Sequence, residues 1–249
     1  MYDDDLTILD PDLADPLDQL DLPGSAAAAP PPDPDVMLPL LTSPHSQERM
    51  LAARVFCELE DSRAIPALTQ LLDDPCPLVR VSAAYALGRN HDEAAIAALV
   101  SHLSTDWNGY VRKGITWALG NSRSAECLIP LIDALRTDIA AVRLWAASAL
   151  AQMAQVSYES VIAALPTLIE AMRRDAVAPV RSNCAWAIGQ LCRELPSNVV
   201  YHTAIDALIE TFAEDDDLGV REDARAAILK VGDARGLQVI EEIEQDGFF

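Results

Sequence analysis

From residue 36 onward, apolar and polar positions recur as one repeated phrase. Five Val-Arg pairs mark it, namely Val79-Arg80, Val111-Arg112, Val142-Arg143, Val180-Arg181 and Val220-Arg221, with the Arg positions 32, 31, 38 and 40 residues apart. Glu48-Arg49 fits the same register, 31 residues before Arg80. Three residues after each Arg stands a small side chain: Ala52, Ala83, Ala146, Cys184 and Ala224, with Ile115 the bulky exception. Six and seven residues after it come Val55-Phe56, Ala86-Leu87, Ala118-Leu119, Ala149-Leu150, Ala187-Ile188 and Ala227-Ile228. Self-similarity at such a period identifies a repeated supersecondary unit.

Between these segments lie second amphipathic runs: Ile65 to Leu72, Leu128 to Leu135 and Leu165 to Met172. Pro66, Pro130 and Pro166 stand near their starts, where a helix tolerates Pro because the first-turn N–H has no intrahelical partner. Each unit therefore predicts a helix, a short turn and a Val-Arg helix. One such hairpin cannot bury both of its faces, so neighbours must stack.

The turn before each Val-Arg helix carries an Asp. Asp74, Asp106, Asp138, Asp175 and Asp215 precede Arg80, Arg112, Arg143, Arg181 and Arg221 by 6, 6, 5, 6 and 6 residues. A carboxylate there is placed to cap the free N–H groups of the helix and to meet the Arg of an adjacent unit. Because it recurs periodically, it reads as a structural Asp–Arg ladder rather than as chemistry.

Composition sharpens this picture. Half of the 249 residues are hydrophobic, mostly Ala and Leu, and only 5% are aromatic, which favours close-packed helices over sheets. The net charge of −21 repels phosphate backbones, so no nucleic-acid binding is expected. Basic proteins, or basic patches on proteins, are the natural electrostatic partners of such a chain. No apolar run approaches the roughly 18 residues of a membrane span, and no membrane insertion is expected. The acidic start, Met1 to Asp5, lacks the basic and apolar regions of a secretory signal. The five Cys are Cys57, Cys76, Cys127, Cys184 and Cys192. An odd number without a C-x-x-C pair argues against a disulfide framework, and the chain reads as cytoplasmic.

Residues 1–35 stand apart, with ten Asp, no Lys, Arg or Glu, and a Pro/Ala run from Ala26 to Pro32. They have the composition of a disordered, solubilising arm. The apolar residues spaced through it, Leu6, Ile8, Leu9, Leu13, Leu17, Leu20 and Leu22, also fit an acidic-hydrophobic segment that orders on a partner. The domain reading is an arm over 1–35 and a repeat array over 36–249.

The segments Asp74 to Gly88 and Asp106 to Gly120 resemble the HEAT-like repeat of cyanobacterial phycobilisome lyase subunits of the E/F type. That wider family includes bilin lyases, phycobilisome-degradation factors and a HEAT-repeat protein that partners an IscA-type iron–sulfur assembly protein. Size and acidic leader are most similar to the last. The resemblance implies an all-α solenoid of about six HEAT-like hairpins with a C-terminal capping helix. The 38- and 40-residue periods of the later repeats depart from the lyase pattern and imply longer helices or loops.

In HEAT-like folds the second helix of each hairpin lines the concave surface. On a wheel of about 100° per residue with the Val at 0°, positions three, six and seven after the Arg fall within roughly 80° of it and form the buried stripe. Positions one and five after the Arg fall near 200° and 240°, away from the core. Position five holds Tyr85, Trp117, Ser148, Trp186 and Ala226, and position nine holds Arg89, Asn121, Gln152, Gln190 and Lys230. Trp145 and Asn183 stand at position two. Tyr85, Arg89, Trp117, Asn121, Trp145, Gln152, Asn183, Trp186 and Gln190 thus compose an aromatic strip edged with amide and basic groups, as binding hot spots are composed. The competing reading is that the Trp residues pack against neighbouring repeats.

Catalytic signals are absent. His45, His91, His102 and His202 are spread over separate repeats, with no His-Glu pair, H-x₃-H or C-x₂-C, and so no zinc pattern. Cys184 occupies the small core slot and Cys192 follows eight residues later; both read as buried small hydrophobes. No catalytic residue, metal or cofactor is expected. The expected function is a non-enzymatic adaptor holding a partner protein, an iron–sulfur assembly protein or a phycobiliprotein in what the resemblance implies. The alternative is a bilin lyase subunit or bilin-binding chaperone in which Tyr85, Trp117 and Trp186 stack on a tetrapyrrole.

Overall fold

Apolar stripes at helical spacing leave each hairpin with a face to cover, and the computed structural model shows how they cover one another. It describes residues 32–245, whose regular structure is entirely helical. The acidic stretch before residue 32 lies outside the described residues. The array begins slightly earlier than its sequence pattern: Asp33 accepts a hydrogen bond from the Asp35 N–H and Pro34 takes the first position of α1 (Pro34–Leu40), the arrangement a helix start favours.

Six hairpins follow in chain order. α1 pairs with α2 (Ser46–Val55), α3 (Ile65–Gln70) with α4 (Pro77–Arg89), and α5 (Glu93–Thr105) with α6 (Gly109–Ser122). α7 (Leu128–Thr137) pairs with α8 (Ala140–Ala151), α9 (Tyr158–Arg174) with α10 (Ala178–Cys192), and α11 (Val199–Glu214) with α12 (Leu218–Val231). A last helix, α13 (Ala234–Gln245), packs on α11 and α12. It buries Gly236 and Ile240 and exposes Glu241, Glu242 and Glu244, the polar outer face that a terminal repeat needs.

The long periods come from the first helices of the last hairpins. α9 and α11 run for 17 and 16 residues, against 13 in α5 and 10 in α7. One sequence expectation fails as a result. Pro166 does not start a helix but sits inside α9, because this helix begins two turns upstream at Tyr158, capped by Ser157. Pro66 and Pro130 do fall in the opening turns of α3 and α7.

The Val-Arg helices form one layer and pack on each other far more closely than the helices of the other layer do. In a stack of hairpins the more closely spaced layer lies inside the curve, so α2, α4, α6, α8, α10 and α12 line the concave face. Their valines, Val79, Val111, Val142, Val180 and Val220, are completely buried, as are Ala83, Ile115, Ala146, Cys184 and Ala224. Small residues allow the close spacing. A Cβ on Gly120 would stand 2.8 Å from Ala149 Cβ and 3.0 Å from its Cα, and one on Gly189 would stand 2.8 Å from Ala227 Cβ. These glycines are contact points between successive repeats.

Each Arg bridges two turns. Arg112 Nε and Nη2 donate to Asp138 Oδ2 and Oδ1 of the following repeat at 2.7 and 2.5 Å, while Nη1 donates to the Asp106 carbonyl of its own turn at 2.8 Å. Arg80 does the same with Asp106 and the Asp74 carbonyl, and Arg143 with Asp175 and the Asp138 carbonyl. Arg181 joins Asp215 to the Asp175 carbonyl. The series opens with Arg49 on Asp74 at 2.6 Å and closes with Arg221, whose Nε donates to the Phe212 carbonyl. The carboxylates are not N-caps. Asp74, Asp106, Asp175 and Asp215 accept from the N–H two residues on, and Asp138, one residue nearer its Arg, accepts from the next. They fix the turn entering the helix, as an Asx turn does; Asn108 and Asp217 cap the helices themselves.

Burial opposes the charge on Asp106, Asp175 and Asp215. The hydrogen bonds from Arg80, Arg143 and Arg181, together with one backbone N–H each, outweigh it and hold all three carboxyls below the ordinary carboxylate range.

Candidate partner-binding groove

The floor of the concave face is built by helices of unusual charge. α4, α6, α8 and α10 carry Arg80, Arg89, Arg112, Lys113, Arg143 and Arg181 and not one Asp or Glu. In a chain of net charge −21, the acidic residues therefore lie on the first-layer helices, the turns and the ends. This revises the electrostatic expectation from composition: from α4 to α10 the inner face is not an acidic surface awaiting a basic partner. The acid-free stretch ends there, since α2 carries Glu48 and α12 carries Glu222 and Asp223.

The helical wheel expects Tyr85, Trp117 and Trp186 to point away from the core. Tyr85, Trp117, Trp145 and Trp186 are each half-buried rather than open to solvent. The cause is the close spacing of the inner helices, which lets each groove-facing side chain lie over the preceding repeat. Trp117 lies on Gly88, where an added Cβ would meet its ring at 2.4 Å, and pairs with Tyr85 at a centroid distance of 5.4 Å. Trp186 and Tyr85 also pack on the edge of the core. At position one after the Arg, Val81 and Lys113 are buried, only 3% and 5% exposed, for the same reason. The Lys113 Nζ stands 5.7 Å from the Trp145 ring centroid, a cation–π distance.

The polar edge divides into two groups. Asn183 Nδ2 donates to the Leu144 carbonyl and to Ser148 Oγ, both at 2.6 Å, and thereby ties α10 to α8. Asn121 Nδ2 reaches the Gly88 carbonyl at 3.5 Å. These two amides serve the stack. Arg89 is exposed with its Nε 3.4 Å from Glu60, Gln190 accepts from Arg193 at 3.5 Å, and Gln152 follows α8 half-buried.

Sequence reasoning passed over two further exposed aromatics, Tyr110 and Trp107. Tyr110 and Leu78, two residues before their ladder Arg, are 50% and 47% exposed at the entrances of α6 and α4. Trp107 is 75% exposed, yet the Arg80 guanidinium carbon lies 5.6 Å from its ring centroid. Trp107 thus covers the Arg80–Asp106 pair, whose side chains are 8% and 3% exposed. The signal was in the sequence, since Trp107 directly follows a ladder Asp, but its value depends on where the Arg80 of the previous repeat ends.

Three of the five cysteines are held as poor nucleophiles. Burial pushes Cys57 and Cys192 up to about 12 and raises Cys184 further, leaving them as thiols. Among the described residues no three His, Cys, Asp or Glu side chains converge as metal ligands, and no helix is long and apolar enough to cross a membrane. One cleft of about 530 Å³ opens between α5 and α7, and another of about 360 Å³ lies where α12 meets α13. Neither is lined by Tyr85, Trp117, Trp145 or Trp186.

Comparison with known proteins agrees with this architecture. The phycocyanin lyase complex of CpcE and CpcF from Nostoc sp. PCC7120 is similar over 88% of this chain and 84% of that one, with 22% identity and a TM-score of 0.59. A designed armadillo repeat protein in complex with the peptide (KR)4 is 23% identical over 80% of this chain and 98% of its own, with a TM-score of 0.61. An engineered protein with 25% identity covers 80% of this chain and 98% of its own at a TM-score of 0.59. A search of curated sequences found no match. The family model of HEAT repeats matches residues 34–120 and 96–189; the chain belongs to the HEAT-repeat family.

Proposed function

We propose that this protein is a non-enzymatic adaptor that holds a segment of a partner protein along its concave face, across α4 to α10. The observation that carries this is the acid-free inner surface on which Tyr85, Trp117, Trp145 and Trp186 line up, with Arg89, Gln152 and Gln190 at its rim. Half-buried aromatics on a rigid layer are effective anchors because little side-chain entropy remains to be lost on binding. The armadillo protein that is similar in fold takes a basic peptide. Here the absence of carboxylates on the floor favours a neutral or acidic segment instead. The sequence resemblance supplies the setting: iron–sulfur cluster assembly, or biogenesis of the photosynthetic antenna, in the cytoplasm.

A second reading has support in the fold likeness to the phycocyanin lyase complex. In it, the Tyr85–Trp117 pair at 5.4 Å and Trp186 stack on a bilin. The two are separated with the full chain by titrating phycocyanobilin and recording its visible spectrum. The adaptor reading expects an unshifted spectrum, together with partner capture that Trp145→Ala and Trp186→Ala abolish and Ile129→Ser on α7 leaves intact. A large spectral shift at micromolar chain would replace the adaptor reading with the bilin one.

A further inference from the structure

The carboxylates missing from the central inner helices lie elsewhere, and in the first layer one of them borders uncovered apolar surface. We propose that the cleft of about 530 Å³ between α5 and α7 is a second docking site, which takes an arginine or lysine of a basic amphipathic segment of a partner protein. It lies on the other layer from the concave groove and does not depend on what the groove holds.

The cleft follows from how two repeats stack. Val100 and Leu103 of α5 line one side, and Ile129, Pro130 and Ala134 of α7 line the other. Ile139 joins them from the next entry turn by lying over Gly109, in the space that an added Cβ would fill. The volume falls within the range of ligand sites, roughly 300–1,000 Å³. Ile129 and Ile139 remain 60% and 49% exposed. Trp107 and Tyr110, within two residues of the lining groups Asp106 and Arg112, are exposed as well. A cluster of exposed apolar side chains on a highly charged chain marks an interaction surface. Because this one extends past the lining of the cleft, it calls for a polypeptide rather than a small molecule.

Charge selects the occupant. Of the lining groups, Asp106 is held by Arg80, and Asp138 by Arg112, so these charges are already compensated. Asp133 is different. It is exposed on α7, and among the described residues nothing hydrogen-bonds or ion-pairs with its carboxylate. α5 carries neither Lys nor Arg, and its His102 faces Asp73. Arg136, the cation of α7, does not line the cleft. A free carboxylate beside apolar walls suits a long cationic side chain, whose methylene stem lies along the wall while its head meets the charge. The hydroxyls of Ser104 and Thr137, which also line the cleft, donate to the Ser101 and Asp133 carbonyls and keep lone pairs to accept from the same head. An acidic segment would meet like charge at Asp133 and in the chain's net charge of −21.

The test uses the full chain with carbon-13-labelled isoleucine methyls and, as probe, an acetylated Leu-Arg-Ala-Leu-Arg peptide amide. It is titrated at physiological salt, where fields are screened beyond about 8 Å. The δ1-methyl resonances of Ile129 and Ile139 are expected to shift, and Asp133→Asn to weaken binding at least fivefold. Glu170→Gln, which removes the same charge from an exposed position of α9 outside the cleft, should leave the affinity within twofold. A peptide with Glu in place of Arg should not bind. Equal weakening by the two charge variants would mean that the overall field alone attracts the probe. That result, the absence of a shift at both methyls up to millimolar peptide, or equal binding of the Glu peptide would each overturn the inference. Trp186→Ala should leave this binding unchanged while it abolishes capture in the groove, so the two sites stand or fall separately.

Discussion

Arg143 joins two repeats by holding Asp175 of the next turn with Nε and Nη2 at 2.6 and 2.7 Å and the Asp138 carbonyl of its own turn with Nη1 at 2.8 Å. Three donors of one planar group thus fix the offset between hairpins, which a point-charge ammonium cannot do. Arg143→Ala is expected to destabilise the fold by about 1–3 kcal/mol, because it leaves a largely buried carboxylate without its partner. Arg143→Lys should recover only a small part. Urea denaturation measures both; full stability in the Lys variant would show that charge alone suffices.

The same rungs set the response to acid. Asp106, Asp175 and Asp215 have folded-state pKa values below the ordinary carboxylate range. Their contribution is therefore complete above the unfolded value, near 3.9, and is lost as pH falls through it towards the folded values. Unfolding free energy should decline from about pH 5 downward. Asp175→Asn should be less stable at pH 7 and lose less on acidification. Parallel pH profiles for the two proteins would show that this carboxylate does not report the transition.

Close approach of the inner helices predicts a sterically sensitive glycine. Gly120→Ala places a methyl 2.8 Å from Ala149 Cβ, so the usual gain of about 1 kcal/mol from replacing a helical Gly should be reversed into a loss of roughly 1–3 kcal/mol. Ala149→Gly in the same chain should relieve the overlap. A double-mutant cycle checks the coupling; additive effects would mean that the layer shifts apart freely.

Trp117 tests how far groove and core overlap. It lies over Gly88 and against Tyr85, so Trp117→Ala should cost roughly 1–3 kcal/mol in stability, less than the 3–5 of a fully buried Trp. Trp117→Phe should restore most of that loss. Partner binding should weaken by about 2 kcal/mol or more in the Ala variant beyond any unfolded fraction. Unchanged binding by the folded population would remove Trp117 from the site.

Much of this molecule is written into local pattern. The Val-Arg register, the small residue three positions on and the Ala-Leu pair identified six hairpins and their buried stripe, because helix periodicity and repeat period are properties of consecutive residues. The recurring Asp before each helix showed that a charged pair would form. Which Arg meets which Asp, and that each guanidinium also binds the carbonyl of its own turn, depended on the stacking offset between hairpins. The helical wheel placed Tyr85, Trp117 and Trp186 on the inner face but left their cover undetermined, since a wheel describes one helix in isolation. Only the stacked structure brought Trp117 onto Gly88, buried Lys113 beside Trp145 and turned Asn183 into a tie between α10 and α8. These contacts join residues about thirty to forty positions apart, and their geometry is set by how closely Gly and Ala let neighbouring backbones approach.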